Sequence, residues 1–154
     1  MPCRAPRLRS VPGASGRVLV VDDNKVIRQL IRVNLELEGF EVVTAADGVE
    51  CLDVVQRVRP DVVTLDVVMP RLDGIRTAAR LRADPRTRDV RIVVISACTQ
   101  AEVESGVAAG VDAFLSKPFE PGDLVRVVRA LADVPDRHGT GDEEGAPAAS
   151  PGSA

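Results

Sequence analysis

The chain has 154 residues, 45% of them apolar and almost none aromatic, a length and composition that suit one compact core built from branched aliphatic side chains. A net charge of −3 with no basic stripe argues against nucleic acid as a partner, and no apolar run approaches the ~20 residues of a membrane-spanning helix. Three cysteines, Cys3, Cys51 and Cys98, form no CxxC pair, which speaks against a disulfide framework and fits a reducing cytoplasm.

Between Arg17 and Leu131, short apolar runs alternate with longer segments of helical period, the pattern of βα units around a parallel sheet. Strands are predicted at Val18–Val21, Phe40–Thr44, Val62–Leu65, Ile92–Ile95 and Ala113–Leu115, all read as buried or nearly so. The first helix starts at an Asp23-Asn24 cap, aligns Ile27, Leu30, Ile31 and Leu35 on one face, and stops at Gly39. The second opens with Asp47 and Glu50 at capping-box spacing and ends before Pro60. A third begins near Gly74, with Asp73 as its cap, and fades at Asp84-Pro85. The fourth, about Ala101 to Ala109, has a weak pattern that marks it as a candidate for movement, and Gly110 is its stop. The fifth carries the clearest stripe, Leu124, Val127, Val128 and Leu131, with Pro121 in its first turn.

These boundaries divide the chain into a lead-in over residues 1–16, a folded domain over 17–132 and a tail over 133–154. The lead-in holds Arg4, Arg7 and Arg9 among prolines and lacks the apolar core of a secretory signal. The tail, rich in Pro, Gly, Ala, Ser and acidic residues, is predicted to be disordered, with His138 solvated in it. Leu131 is followed by no pattern that would build an output domain, so the output is expected to lie on other molecules.

In an open parallel sheet, functional groups collect beyond the carboxyl ends of the strands. Asp22 and Asp23 follow the first strand, Asp66 the third, Ser96 the fourth and Lys117 the fifth, so all five are expected on one rim. Carboxylates ~4 Å apart repel by about 4 kcal/mol per pair at an effective dielectric of 20, which invites protonation or a hard cation. Mg²⁺ takes oxygen ligands and bridges carboxylates to phosphoryl groups. Lys117 adds a positive charge and Ser96 a hydroxyl suited to phosphoryl oxygens, leaving Asp66 as the nucleophile.

With these motifs in order, Val-Asp22-Asp23-Asn-Lys, Leu-Asp66-Val-Val-Met-Pro70-Arg-Leu-Asp73-Gly74, Ser96-Ala97 and Lys117-Pro118-Phe119, the stretch from Arg17 to Leu131 resembles the receiver domain of bacterial two-component response regulators. The resemblance implies a doubly wound α/β fold, five βα units with a parallel sheet of order 2-1-3-4-5, flavodoxin-like. It also implies that Asp66 accepts a phosphoryl group from a sensor histidine kinase or phosphotransfer protein. Mg²⁺, with Mn²⁺ as a substitute, is then ligated by Asp23, Asp66 and the backbone carbonyl of Val68, with Asp22 assisting through water. A cis Lys117-Pro118 bond is implied too. Ser96 and Phe114 match the switch pair, whose movement reshapes the face of helix four, strand five and helix five. That face is the expected surface for a downstream protein or for a phosphorylation-dependent dimer of an otherwise monomeric chain.

Two positions depart from many members of the family. Val68 and Cys98 stand two residues after the acceptor and the switch hydroxyl, where polar side chains elsewhere orient or exclude the hydrolytic water, so slow self-dephosphorylation is expected. Phe114 lacks a phenolic hydroxyl. Two rival classes remain: a receiver-like module that docks without phosphorylation, against which the intact acidic trio and Lys117 count, and a phosphatase using an aspartyl phosphate. Position 68 holds no second aspartate, which speaks against turnover enzymology. Cys51 reads as core and Cys98 as a thiol near the pocket mouth.

Overall fold

The computed structural model describes residues 16–133. Five βα units follow one another: β1 (Gly16–Val21), α1 (Lys25–Leu37), β2 (Phe40–Ala45), α2 (Gly48–Val58), β3 (Val62–Asp66), α3 (Gly74–Ala83), β4 (Arg91–Ser96), α4 (Gln100–Ala109), β5 (Ala113–Ser116) and α5 (Pro121–Ala132). Every pairing is parallel, and the strand order is β2-β1-β3-β4-β5, so β1 and β3 lie side by side at the point where the winding reverses. The sequence boundaries differ by a residue or two, as at Gly16, which opens β1 instead of closing the lead-in. Cys3, Arg4, Arg7, Arg9, His138 and most of the proposed tail lie outside the described residues.

Side chains of the central strands alternate between two cores. Leu19, Val21, Val63, Leu65, Ile92 and Val94 pack with Cys51 and Val55 of α2 and Ala78 and Leu81 of α3. Val18, Val20, Val62, Val93 and Ile95 face the other way, against Ile31 and Leu35 of α1 and Leu124 and Val128 of α5. β1, β3 and β4 are therefore buried on both faces. β5 is not: at the sheet edge its residues are half-buried and Ser116 is exposed, which corrects the expectation that every strand is buried or nearly so.

The helix ends obey local chemistry. Asn24 caps α1 by accepting from the amides of Val26 and Ile27, and Gly39 supplies the positive φ that lets the chain leave it. Asp47, Asp73 and Thr99 cap α2, α3 and α4. Glu50 completes its capping motif one residue earlier than the usual box, accepting from the amide of Ala46. The predicted face of α1 needs one correction, since Leu30 is 44% exposed. With Val26, Val33 and Leu37 it forms a second, outward apolar stripe at i, i+4, i+7 and i+11. α4 buries only Gly106, consistent with its weak pattern.

Two leucines test this layering. Leu65→Ala is expected to lower unfolding free energy in urea by about 2–5 kcal/mol, because Leu65 is fully buried between the sheet and α2/α3. Leu37→Ala, on the outward stripe of α1, is expected to change it by no more than about 0.5 kcal/mol.

Candidate functional site

β1 and β3 end side by side, and their register pairs Val21 with Leu65, so the residues that follow, Asp22 and Asp66, emerge together. Asp22, Asp23 and Asp66 each offer a carboxylate oxygen within 4.8 Å of the others. At that separation two full charges repel by about 3.5 kcal/mol at an effective dielectric of 20. Asp22 and Asp66 are buried whereas Asp23 is exposed, giving the cluster a closed floor and an open lip. Burial pushes the Asp22 carboxyl above its ordinary value; the amide of Asn24 opposes the rise, Asp66 adds to it, Lys117 offsets it and Asp23 adds again. Three hard oxygen donors whose negative charge Lys117 offsets only in part fit a divalent cation.

Neither carboxylate of the acidic pair accepts the first-turn amides of α1. Asn24, not Asp23, holds the first-turn amides, and its own amide donates to Asp22 Oδ1 at 2.8 Å. Arg28 donates from its guanidinium to the Asp22 carbonyl at 2.7 Å and braces the turn from below. Asn24 is the cap expected from sequence, whereas Arg28, whose partner is a backbone carbonyl six residues earlier, carries no sequence signal for this contact.

Lys117 reaches the rim from the end of β5. Its Nζ donates to Asp66 Oδ1 at 2.6 Å, and the Lys117-Pro118 peptide is cis. Ser96 closes β4 and is buried; its hydroxyl oxygen accepts the Cys98 amide at 2.9 Å and lies 3.5 Å from the Cys98 sulfur. Cys98 adopts a φ of 59°, a left-handed conformation uncommon outside glycine. Phe114 is half-buried in β5, where its ring rests against α4: a Cβ at Gly106 would come within 2.5 Å of it. Val68, in the loop after β3, turns its side chain outward and is 72% exposed. The carboxylates, Lys117 and Ser96 thus gather at the strand ends, while Phe114 is seated lower, toward α4.

Gly74 has a sharper role than a turn residue. A Cβ there would sit 2.4 Å from the backbone carbonyl of Asp66, so α3 can begin this close to the acceptor only with glycine. Its amide donates to the Val67 carbonyl at 3.0 Å and closes the loop at its base.

With this geometry in hand, the response regulator receiver domain family matches residues 18–129. The chain belongs to that family, the phosphorylation-switch domain of two-component systems. It is 43% identical over 116 residues to the response regulator MprA of Mycobacterium sp. strain KMS, an alignment covering 75% of this chain and 50% of that protein. It is 35% identical over 122 residues to the DNA-binding dual master transcriptional regulator RpaA of Synechocystis, covering 79% and 51%. The chain thus spans about half the length of the curated relatives it matches. Among solved structures, the Vibrio cholerae chemotaxis protein CheY4 superposes with a TM-score of 0.71 at 34% identity, over 75% of this chain and 97% of that one. The receiver domain of a Pseudomonas aeruginosa sensor histidine kinase, solved with magnesium in its active-site cleft, gives 0.72 at 30% identity, over 79% and 100%. No helix among the described residues is long and apolar enough to cross a membrane.

Burial pushes the Cys51 thiol up to about 12, so it stays protonated and shielded at neutral pH. An alkylating reagent is therefore expected to leave Cys51 unmodified in the native protein and to react with half-buried Cys98; peptide mapping before and after unfolding checks this. A pH effect is expected at Asp47, whose carboxyl is held below its ordinary value first by the Glu50 amide and then by Arg71. That stabilisation is present above the ordinary carboxylate value of 3.8 and is lost as pH falls through the lower folded value. Melting curves of Asp47→Asn should lack this part of the acid limb.

Proposed function

We propose that this chain works as a receiver: Asp66 takes a phosphoryl group from a phosphohistidine on a sensor kinase or phosphotransfer protein, and the phosphorylated form binds a downstream protein. The observation that carries this reading is the meeting of three carboxylates within 4.8 Å with a lysine ammonium 2.6 Å from the buried Asp66. Asp23, Asp66 and the Val68 carbonyl would hold Mg²⁺, or Mn²⁺ in its place, with Asp22 assisting through water. When bound, the cation supplies positive charge that relieves carboxylate repulsion and neutralises phosphoryl oxygens.

The chain's own residues account for the rest. An Asp66 oxygen attacks phosphorus; the new P–O bond forms as the P–N bond to the donor imidazole breaks, and the imidazole leaves with the bonding pair and takes a proton. Lys117 transfers its hydrogen bond from the carboxylate to the incoming phosphoryl oxygens, which carry more charge. The Ser96 hydroxyl, buried at the end of β4, donates to the same group. Because the Phe114 ring is lodged against Gly106, a rearrangement at Ser96 that shifts β4 and β5 is felt by α4, the helix with the least apolar burial. The α4, β5 and α5 face is then the signalling surface, for a protein target or a second copy of the chain.

The approach to the pocket suits a protein donor. Val68, two residues after the acceptor, is exposed, and α1, which starts at the same end of the sheet, carries an outward apolar stripe of Val26, Leu30, Val33 and Leu37. The domain acts as an acceptor and not as a turnover enzyme. With Val68 outward and Cys98 engaged at Ser96, no polar side chain at these positions organises a hydrolytic water.

Incubation with Mg²⁺ and acetyl phosphate, followed by intact mass measurement, tests the reading. One phosphoryl adduct is expected on the wild type and none on Asp66→Asn, with a wild-type adduct that persists for minutes or longer after the donor is removed. No adduct would favour a constitutive docking module, and sustained phosphate release would favour an enzyme.

A further inference from the structure

The loop from Val67 to Asp73 carries Val68 between the acceptor and α3; its first residue is tied to the sheet, and its far end is tied back to that residue. Val67 donates its amide to the Ile95 carbonyl at 3.1 Å, and Gly74 returns to the Val67 carbonyl at 3.0 Å. The middle of the loop is held differently. Leu72 donates to the Pro70 carbonyl at 2.7 Å, a three-residue turn centred on Arg71, whose φ is 67°. A non-glycine residue in that region is strained, and such strain persists only where the surroundings over-determine it.

What over-determines it is Asp47. The Arg71 guanidinium donates from Nε to Asp47 Oδ2 at 2.8 Å and from a terminal nitrogen to Oδ1 at 3.1 Å, a two-pronged pair of the strong, directional kind. Asp47 is itself immobilised, buried and accepting from the Glu50 amide as the cap of α2. Beside the pair, α2 and the loop touch closely: a Cβ at Gly48 would sit 2.6 Å from the Leu72 carbonyl and 2.1 Å from the Thr77 hydroxyl. Strained turn, fork and close approach converge on the segment that begins at the acceptor.

We propose that the Arg71–Asp47 pair is a positioning latch: it ties the loop after β3 to the rigid N-terminus of α2 and so sets how well the Val68 carbonyl is placed for the divalent cation. This rests on the metal site of the proposed receiver function and adds a determinant of its affinity. Arg71 and Asp47 touch neither the acceptor nor the cation; they act through the loop backbone.

The test is Mg²⁺ binding by isothermal titration calorimetry, without phosphodonor, on wild type, Arg71→Gln, Asp47→Asn, the double variant and Arg71→Lys. Asparagine keeps the helix cap while removing the charge, and Arg71 has an exposed side chain, so all are expected to fold. Each single variant is expected to weaken Mg²⁺ binding roughly tenfold, in the range seen when outer-shell partners of a metal site are removed. The double variant should be no weaker than either single, because both break one pair. Arg71→Lys should restore only part of the affinity, lacking the fork. At saturating Mg²⁺, the extent of Asp66 phosphorylation should be unchanged. Wild-type affinity in both single variants, even with lowered melting temperatures, would overturn the latch while leaving the receiver reading intact. Additive losses in the double variant would also overturn it. A wild type that binds no Mg²⁺ would overturn both.

Discussion

The constraint on which the molecule turns is the confinement of negative charge at the carboxyl ends of two adjacent parallel strands. Asp22 and Asp66 can be neighbours only because β1 and β3 pair directly at the reversal of the winding, and Asp23 joins them from the first residues past the sheet. Left alone, such a cluster costs free energy, and the Asp22 carboxyl is raised above its ordinary value first by burial, with the Asp66 and Asp23 charges adding to the rise. Lys117 Nζ, 2.6 Å from Asp66, relieves part of it. The remainder is what makes the pocket receptive to a cation and to a group whose oxygens need several positive partners at once.

Much of the surrounding fold can be understood as holding these groups still. Both faces of the central strands are packed with aliphatic side chains, leaving the strand ends as the chief place where polar groups gather. Gly74 lets α3 start against the Asp66 backbone; Asn24 takes over the capping of α1 and leaves Asp23 to the pocket. By contrast, the β5 edge and α4 have less apolar burial, and both lie on the side where Phe114 meets Gly106. A rigid acceptor beside a less tightly held neighbour is the arrangement a switch requires.

The fold was readable because its signals are local and periodic. Val18–Val21 and Ile92–Ile95 are short, branched and bounded by polar residues, and Gly39, Asp47, Asp73 and Gly110 mark helix ends by backbone chemistry that operates within a few residues. The polar rim was readable once strand order was inferred, since each motif follows a strand. Features that depend on distant partners were not. β5 reads as an apolar run whether or not it lies at an edge, and Leu30 continues a helical stripe although the core takes Ile27, Ile31 and Leu35 and leaves Leu30 exposed. The Arg71–Asp47 pair joins residues 24 positions apart, and each has an ordinary local reading that hides the other. Phe114 and Ser96 were paired by family resemblance; their separate contacts, with Gly106 and with Cys98, emerge only in three dimensions.

In the proposed switch, one carboxylate among three becomes covalently modified. Borohydride reduction of the phosphorylated protein converts an aspartyl phosphate to homoserine, and peptide sequencing by mass spectrometry then locates it. Homoserine is expected at position 66 alone, dependent on Mg²⁺, with Asp22 and Asp23 recovered as aspartate. Homoserine at position 22 or 23, or none in protein shown to carry phosphate, would contradict it.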